Sequence, residues 1–215
     1  MIYLIRHGES QANAGEATSH MELIRLTQKG LDQAKTLPLQ LPEHIDHIIY
    51  SSYLRTYQTA LPTIIAHPEA AVYEWPEIRE FSYLNPDKCK NTTAAERRPM
   101  ADAYWATLDV NLQLHPRVES FSQFIARVRG VWKGLQDRFG HTDETVALFT
   151  HGLFIIGLFH VIHTPEASDA YIMEHFFDNR SIKNGEVFEL NLAAYKQSDD
   201  IISDDVVYVD DWVDV

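Results

Sequence analysis

Short apolar runs, each stopped by a polar residue and separated by stretches of helical spacing, set the plan of this chain. The first is Ile2-Tyr3-Leu4-Ile5, followed at once by Arg6-His7-Gly8-Glu9-Ser10. An apolar run of this length bounded by glycine reads as a buried strand, which puts Arg6 and His7 at its carboxyl end. Open α/β sheets place their chemistry at those ends. Ile45, Ile48, Ile49 and Tyr50 give a second strand, Ala71 to Trp75 a third, Thr145 to Phe149 a fourth and Gly185 to Leu192 one more. Thr27 is placed as the N-cap of a helix carrying Leu31, Ala34 and Leu37. Ser51-Ser52 is placed as the cap of a helix that contains Arg55 and Gln58 and that Pro62 should kink or end. Ser120 and Gln123 form a capping box ahead of Phe121, Phe124, Ile125, Val128, Trp132, Leu135 and Phe139, whose helical spacing marks them as core. Strands alternating with helices predict an α/β sandwich with a mostly parallel central sheet.

The whole chain, 1–215, is expected to be one domain, with no internal repeat and no linker. Residues 81–116 have no clean period. Pro86, Pro99 and Pro116 punctuate them, and Phe81, Tyr83, Tyr104 and Trp105 are interleaved with Lys88, Lys90, Arg97 and Arg98. This is an insertion over the sheet edge, either a substrate lid or a solvated helical excursion with a few packing aromatics. The acidic end, about 198–215, either closes the sheet with Val206 to Val209 or forms a tail.

Lys and Arg number 18 against 31 Asp and Glu, a formal charge of -13, which argues against nucleic acid or an anionic membrane as a main partner. Arginines gathered in a cleft can still bind a small anion, because screening confines each charge to roughly 8–10 Å at physiological salt. The apolar run from Leu153 to Ile162 follows His151-Gly152, and neither half is long enough to cross about 30 Å of hydrocarbon, so a buried strand and a buried helix are expected. Cys89 is the only cysteine, so no intrachain disulfide can form. A cysteine-phosphatase loop would need an arginine six positions later, where Ala95 stands. Asn91-Thr92-Thr93 has the form of a glycosylation acceptor, but the chain opens directly on a strand, so no targeting peptide is expected and a cytoplasmic location is. His160 and His163 lack companion ligands and read as structural, and no Walker loop, EF-hand loop or zinc spacing is present. No metal and no cofactor are expected. Nothing in the sequence bears on the oligomeric state.

Polar residues stand at or just beyond four strand ends: Arg6 and His7, then Arg55, then Glu80, then His151. In a parallel sheet those ends share one rim. Two arginines, two histidines and a carboxylate make an anion pocket with a nucleophile and a proton donor, which suits phosphoryl transfer without a metal. The bland alternative is a buried network in which Arg6 and Arg55 pair with Glu9 or Glu80 and His151 is a satisfied core residue.

RHGES at 6–10, Asn13, SSYLRTYQTA at 51–60 and THG at 150–152 resemble the histidine phosphatase superfamily, the phosphoglycerate mutase-like family. LTQKGLDQA at 26–34, EIREF around Glu80 and ESF at 119–121 extend the likeness over most of the chain. The resemblance implies a three-layer α/β/α sandwich and a metal-independent phosphatase acting on a phosphorylated small molecule. It makes His7 the nucleophile that becomes phosphohistidine, and it gives the equatorial oxygens to Arg6, Arg55 and His151, with Asn13 a further contact. Glu80 would protonate the leaving oxygen and then activate water, and Gly8 would orient the nucleophilic ring through its backbone. Ser10, Gln58 and Gly152 complete the expected substrate-binding set. Within the family, a mutase usually carries an FTGW-like segment before LTEKG, where this chain reads SHMELIR. A phosphohistidine or phosphoprotein phosphatase would be more compact. A non-catalytic phospholigand-binding protein would be expected to lose His7 or Glu80.

Overall fold

The computed structural model describes residues 1–178 and 181–195. Five strands form one sheet: β1 (Ile2–Arg6), β2 (His47–Tyr50), β3 (Ala71–Glu74), β4 (Val146–Thr150) and β5 (Val187–Leu190). Their order is β3-β2-β4-β1-β5, with every pairing parallel except β5 on β1. The helices are α1 (Gln28–Thr36), α2 (Leu54–Ala66), α3 (Pro86–Cys89), α4 (Ala94–Trp105), α5 (Phe121–Phe139), α6 (Gly152–His163) and α7 (Asp169–Glu174).

The alternation of side chains along each strand explains why the strands read as unbroken apolar runs. Ile2, Leu4, Ile49, Val146 and Leu148 join one buried cluster with α5 and α6, while Ile5, Ile48, Ala147 and Phe149 join a second with Leu37 and Ala60. Both faces of the sheet are therefore covered by helices, as parallel sheets require. β4 is buried along its whole length. Among the described residues no helix is long and apolar enough to cross a membrane; the run expected to be a buried helix is α6, which is almost entirely core.

Several local expectations change. Pro62 lies inside α2 without ending it. It forfeits one backbone bond, and Thr63 and Ile64 pack the last turn against the sheet. The cap residue of α2 is Tyr53, not Ser51 or Ser52, and it makes no side-chain cap. Segment 81–116 is helical and largely exposed, with a few aromatics packed inward. It holds α3 and α4, the latter opened by a Thr93–Glu96 capping box, and Phe81 and Tyr104 are buried in the main core. Its arginines are engaged locally: Arg97 donates to Thr18 and Thr92, and Arg98 to Asp102. The acidic end with Val206 to Val209 lies outside the described residues.

Candidate active site

The pairing of β1 with β4 runs in register from Ile2–Val146 to Arg6–Thr150, and the His7 amide extends it by donating to Thr150 O at 3.0 Å. His7 and His151, each just past a strand end, are thereby brought edge to face with ring centroids 5.2 Å apart. Arg55 enters from the first turn of α2. Its Nε donates to His7 Nε2 at 3.1 Å, Nη2 to His151 Nδ1 at 3.1 Å and Nη1 to Met21 O at 2.8 Å. Tyr53 lies under the same guanidinium at 4.7 Å and edge-on to His151 at 5.0 Å.

These bonds fix both tautomers. A carbonyl can only accept, so the 2.7 Å contact of His7 Nδ1 with Gly8 O places the proton on Nδ1 and leaves Nε2 bare. His151 is the reverse: Nδ1 accepts from Arg55, so Nε2–H donates to Ser51 Oγ at 2.7 Å, and Ser51 Oγ is bonded in turn to Thr56 at 2.8 Å. Burial, followed by Arg55 and Arg6, pushes the His7 pKa well below the ordinary 6.5, and His151 moves the same way for the same leading cause. Both rings are neutral. Arg55, itself buried, is lowered to about 10 and remains a cation at neutral pH.

Glu80 reaches the rim by way of a tight turn at Pro76–Ile78, which Thr150 Oγ1 anchors by donating to Ile78 O at 2.6 Å. His151, the cap residue of α6, makes no side-chain cap, and Glu80 supplies it instead. Its carboxylate accepts from Leu153 N at 3.2 Å and Phe154 N at 3.1 Å, as well as from its own neighbour Phe81 N at 3.0 Å. Those bonds and the arginines favour the charged form. Burial opposes them and is the larger influence, so the Glu80 pKa lies above its ordinary 4.5. Arg6 stands beside Glu80 and Gly152 in a cleft of about 270 Å³. Its Nη1 donates to Ile182 O, while its Nε is buried without a partner. A Cβ at position 152 would lie 3.3 Å from that Nε, so glycine lets the start of α6 approach the guanidinium closely.

The structure thus brings Arg6, His7, Arg55, Glu80, His151 and Gly152 together. Three other expected residues, Ser10, Asn13 and Gln58, make loop contacts. Ser10 is buried, and its amide and Oγ both donate to Asn13 Oδ1, which also accepts from Asn184. Gln58 Oε1 accepts from Leu26 N at 2.9 Å, tying α2 to the loop before α1. Sequence reasoning missed Thr59, whose hydroxyl holds the Gly8 amide at 3.0 Å, and Asn184, which donates to His7 O at 3.0 Å. It also missed Arg127. With Arg79 it grips Glu119, and it donates to the carbonyls of Glu77 and Arg79 that lead into Glu80.

The histidine phosphatase superfamily (branch 1) model matches residues 2–190. An adenosylcobalamin/alpha-ribazole phosphatase of Salmonella typhimurium is 25% identical over 168 residues, which cover 78% of this chain and 82% of that protein. Among solved structures, Bacillus stearothermophilus YhfR aligns with a TM-score of 0.68 at 23% identity, covering 86% of this chain and 88% of its own. A mycobacterial glucosyl-3-phosphoglycerate phosphatase gives 0.68 at 21% identity with the same coverage of 86% and 88%. The two structural likenesses establish the fold.

Proposed function

The chain belongs to the histidine phosphatase superfamily, and from that premise we propose that it is a metal-independent phosphomonoester hydrolase acting on a phosphorylated small molecule through a phosphohistidine on His7. The observation that carries this is the bare Nε2 of His7, fixed by the Nδ1–H bond to Gly8 O and facing Arg55. A neutral imidazole with its lone pair directed at a guanidinium is a nucleophile already aimed at the place where an anion would bind.

In the proposed reaction the phosphoryl oxygens take over the donors of Arg55 and are held by the guanidinium of Arg6, with His151 beside them. Fixed cations suit the charge that gathers on those oxygens, since they need no reorganisation. His7 Nε2 attacks phosphorus as the bond to the ester oxygen breaks. Glu80, protonated, gives its proton to that oxygen and the alcohol leaves. The Nδ1–H bond to Gly8 O supports the positive charge the ring acquires. Glu80, now a carboxylate, takes a proton from water. The water oxygen attacks phosphorus, the P–N bond breaks, and inorganic phosphate departs with His7 restored.

Hydrolysis of p-nitrophenyl phosphate in the presence of chelator tests the proposal. Turnover by the native protein that vanishes in His7→Ala, with acid-labile phosphate trapped on the native chain alone, is the expected result. Turnover that survives His7→Ala would overturn it.

A further inference from the structure

The cleft beside Arg6 and Glu80 has a second wall that the phosphoryl chemistry does not use. It is made by Leu153 and Ile156 from the first turns of α6, by Phe177 and by Ile182. Ile156 and Ile182 are buried, whereas Phe177 is 52% exposed. That ring is held in place, edge-on to Trp105 at 4.7 Å and to Phe176 at 5.3 Å. Trp105 in turn donates to the Tyr83 hydroxyl at 3.1 Å, so the aromatics of segment 81–116 buttress this wall from behind.

Among the described lining residues the sole cation is Arg6 and the sole anion is Glu80, and the reaction uses both, so the rest of the described lining is Gly152, Ser181 and hydrocarbon. The leaving oxygen must come within reach of Glu80, so the alcohol it carries extends into the cleft that Glu80 lines.

We propose that Leu153, Ile156 and Phe177 form an apolar subsite for the alcohol portion of the substrate, which carries an aromatic or branched hydrocarbon group. The proposal rests on the phosphatase function put forward above. Two measurements test it separately from that function. Calorimetry on the intact protein should show benzylphosphonate binding about tenfold or more tighter than methylphosphonate, with most of the difference lost in Phe177→Ala, as expected when an apolar pocket loses a wall. In turnover, kcat/KM for benzyl phosphate should exceed that for methyl phosphate, and Phe177→Ala should raise KM for the benzyl ester. Equal affinity for the two phosphonates, binding of neither, or equal kcat/KM for the two esters would overturn the subsite. Selective benzylphosphonate binding without hydrolysis of any ester would leave the subsite standing and remove the phosphatase function.

Discussion

Arg55 Nε donates to His7 Nε2 across 3.1 Å, so the nitrogen assigned to attack phosphorus rests against a cation. The same guanidinium donates to His151 Nδ1. An entering phosphoryl group therefore draws on donors that otherwise mask the nucleophile, and one side chain both guards the imidazole and binds the anion. The positive neighbour has a second effect. With burial, it holds His7 neutral at a pH where an ordinary imidazole would begin to protonate.

Arg55→Gln should lower kcat/KM for p-nitrophenyl phosphate by about 100- to 1,000-fold, the usual scale for losing one preorganised donor to transition-state charge. It should also move the acid limb of the pH profile upward toward the ordinary imidazole value of 6.5, because one of the charges that depress the His7 pKa is then gone. A pH–rate profile of the variant measures both. A fall in activity with an unmoved acid limb would mean that Arg55 does not act on His7 electrostatically.

The two limbs have signs set by different groups. His7 must be neutral to attack, and its pKa is below 6.5, so the acid limb falls below that pH. Glu80 must be protonated to act as the acid, and its pKa is above 4.5, so the alkaline limb begins above that pH. A mildly acidic optimum is expected, with the two apparent values belonging to the coupled site. Glu80→Gln should cost more for phenyl phosphate than for p-nitrophenyl phosphate, whose leaving group needs less protonation, and should flatten the alkaline limb. Equal losses on both esters would assign Glu80 a purely structural role at the α6 terminus.

Much of this site could be read from the sequence because the central strands β1, β2 and β4 are largely buried on both faces. β4 has no exposed side, so it stands out as an apolar run, and Thr150-His151-Gly152 marks its end unmistakably. Contacts made through backbone groups left no such trace. Glu80 caps α6 through the amides of Leu153 and Phe154, and a backbone donor has no residue preference to betray it. Arg127 sits on the polar side of a helix whose pattern speaks only for its core, so its grip on the carbonyls of Glu77 and Arg79 was invisible. Pro62 does not end α2, because Ile64 two residues later packs against the core, a contact that local propensity does not register. The arginines of α4 are engaged by Thr18, Thr92 and Asp102, of which only Thr18 is remote in sequence.

Ser51 is expected to act on the reaction through His151. It gives His151 Nε2–H an acceptor at 2.7 Å and so keeps the lone pair of Nδ1 toward Arg55. In Ser51→Ala that acceptor is gone, and the alternative tautomer would set an N–H of His151 against the N–H of Arg55. A loss of about tenfold in kcat follows from one buried hydrogen bond of roughly 1–1.5 kcal/mol. Nitrogen NMR of labelled histidine distinguishes this from general loosening. The His151 Nδ1 and Nε2 signals should show a changed tautomer balance in Ser51→Ala, and native-like signals alongside reduced kcat would refute the positioning role.

Gly30 should prove as important to the nucleophile as residues that touch it. A Cβ at Gly30 would lie 2.0 Å from Glu9 O, and one at Gly8 would lie 2.6 Å from Gly30 O, so α1 and the turn after β1 are in backbone contact. Thr27 ties the same two segments together: its amide donates to Glu9 O at 2.9 Å, and its Oγ1 accepts from Gly30 N at 3.1 Å. Gly30→Ala must push α1 away from residues 8 and 9, at about 1–3 kcal/mol of stability, the usual cost of overpacking. The shift also disturbs Gly8 O, the acceptor that fixes the His7 tautomer, so kcat should fall in protein that is still folded. Urea unfolding and steady-state kinetics measure the two effects, with Gln28→Ala on the exposed side of the same helix as the control. Lowered stability with native kcat would mean that the His7 turn holds its geometry independently of α1.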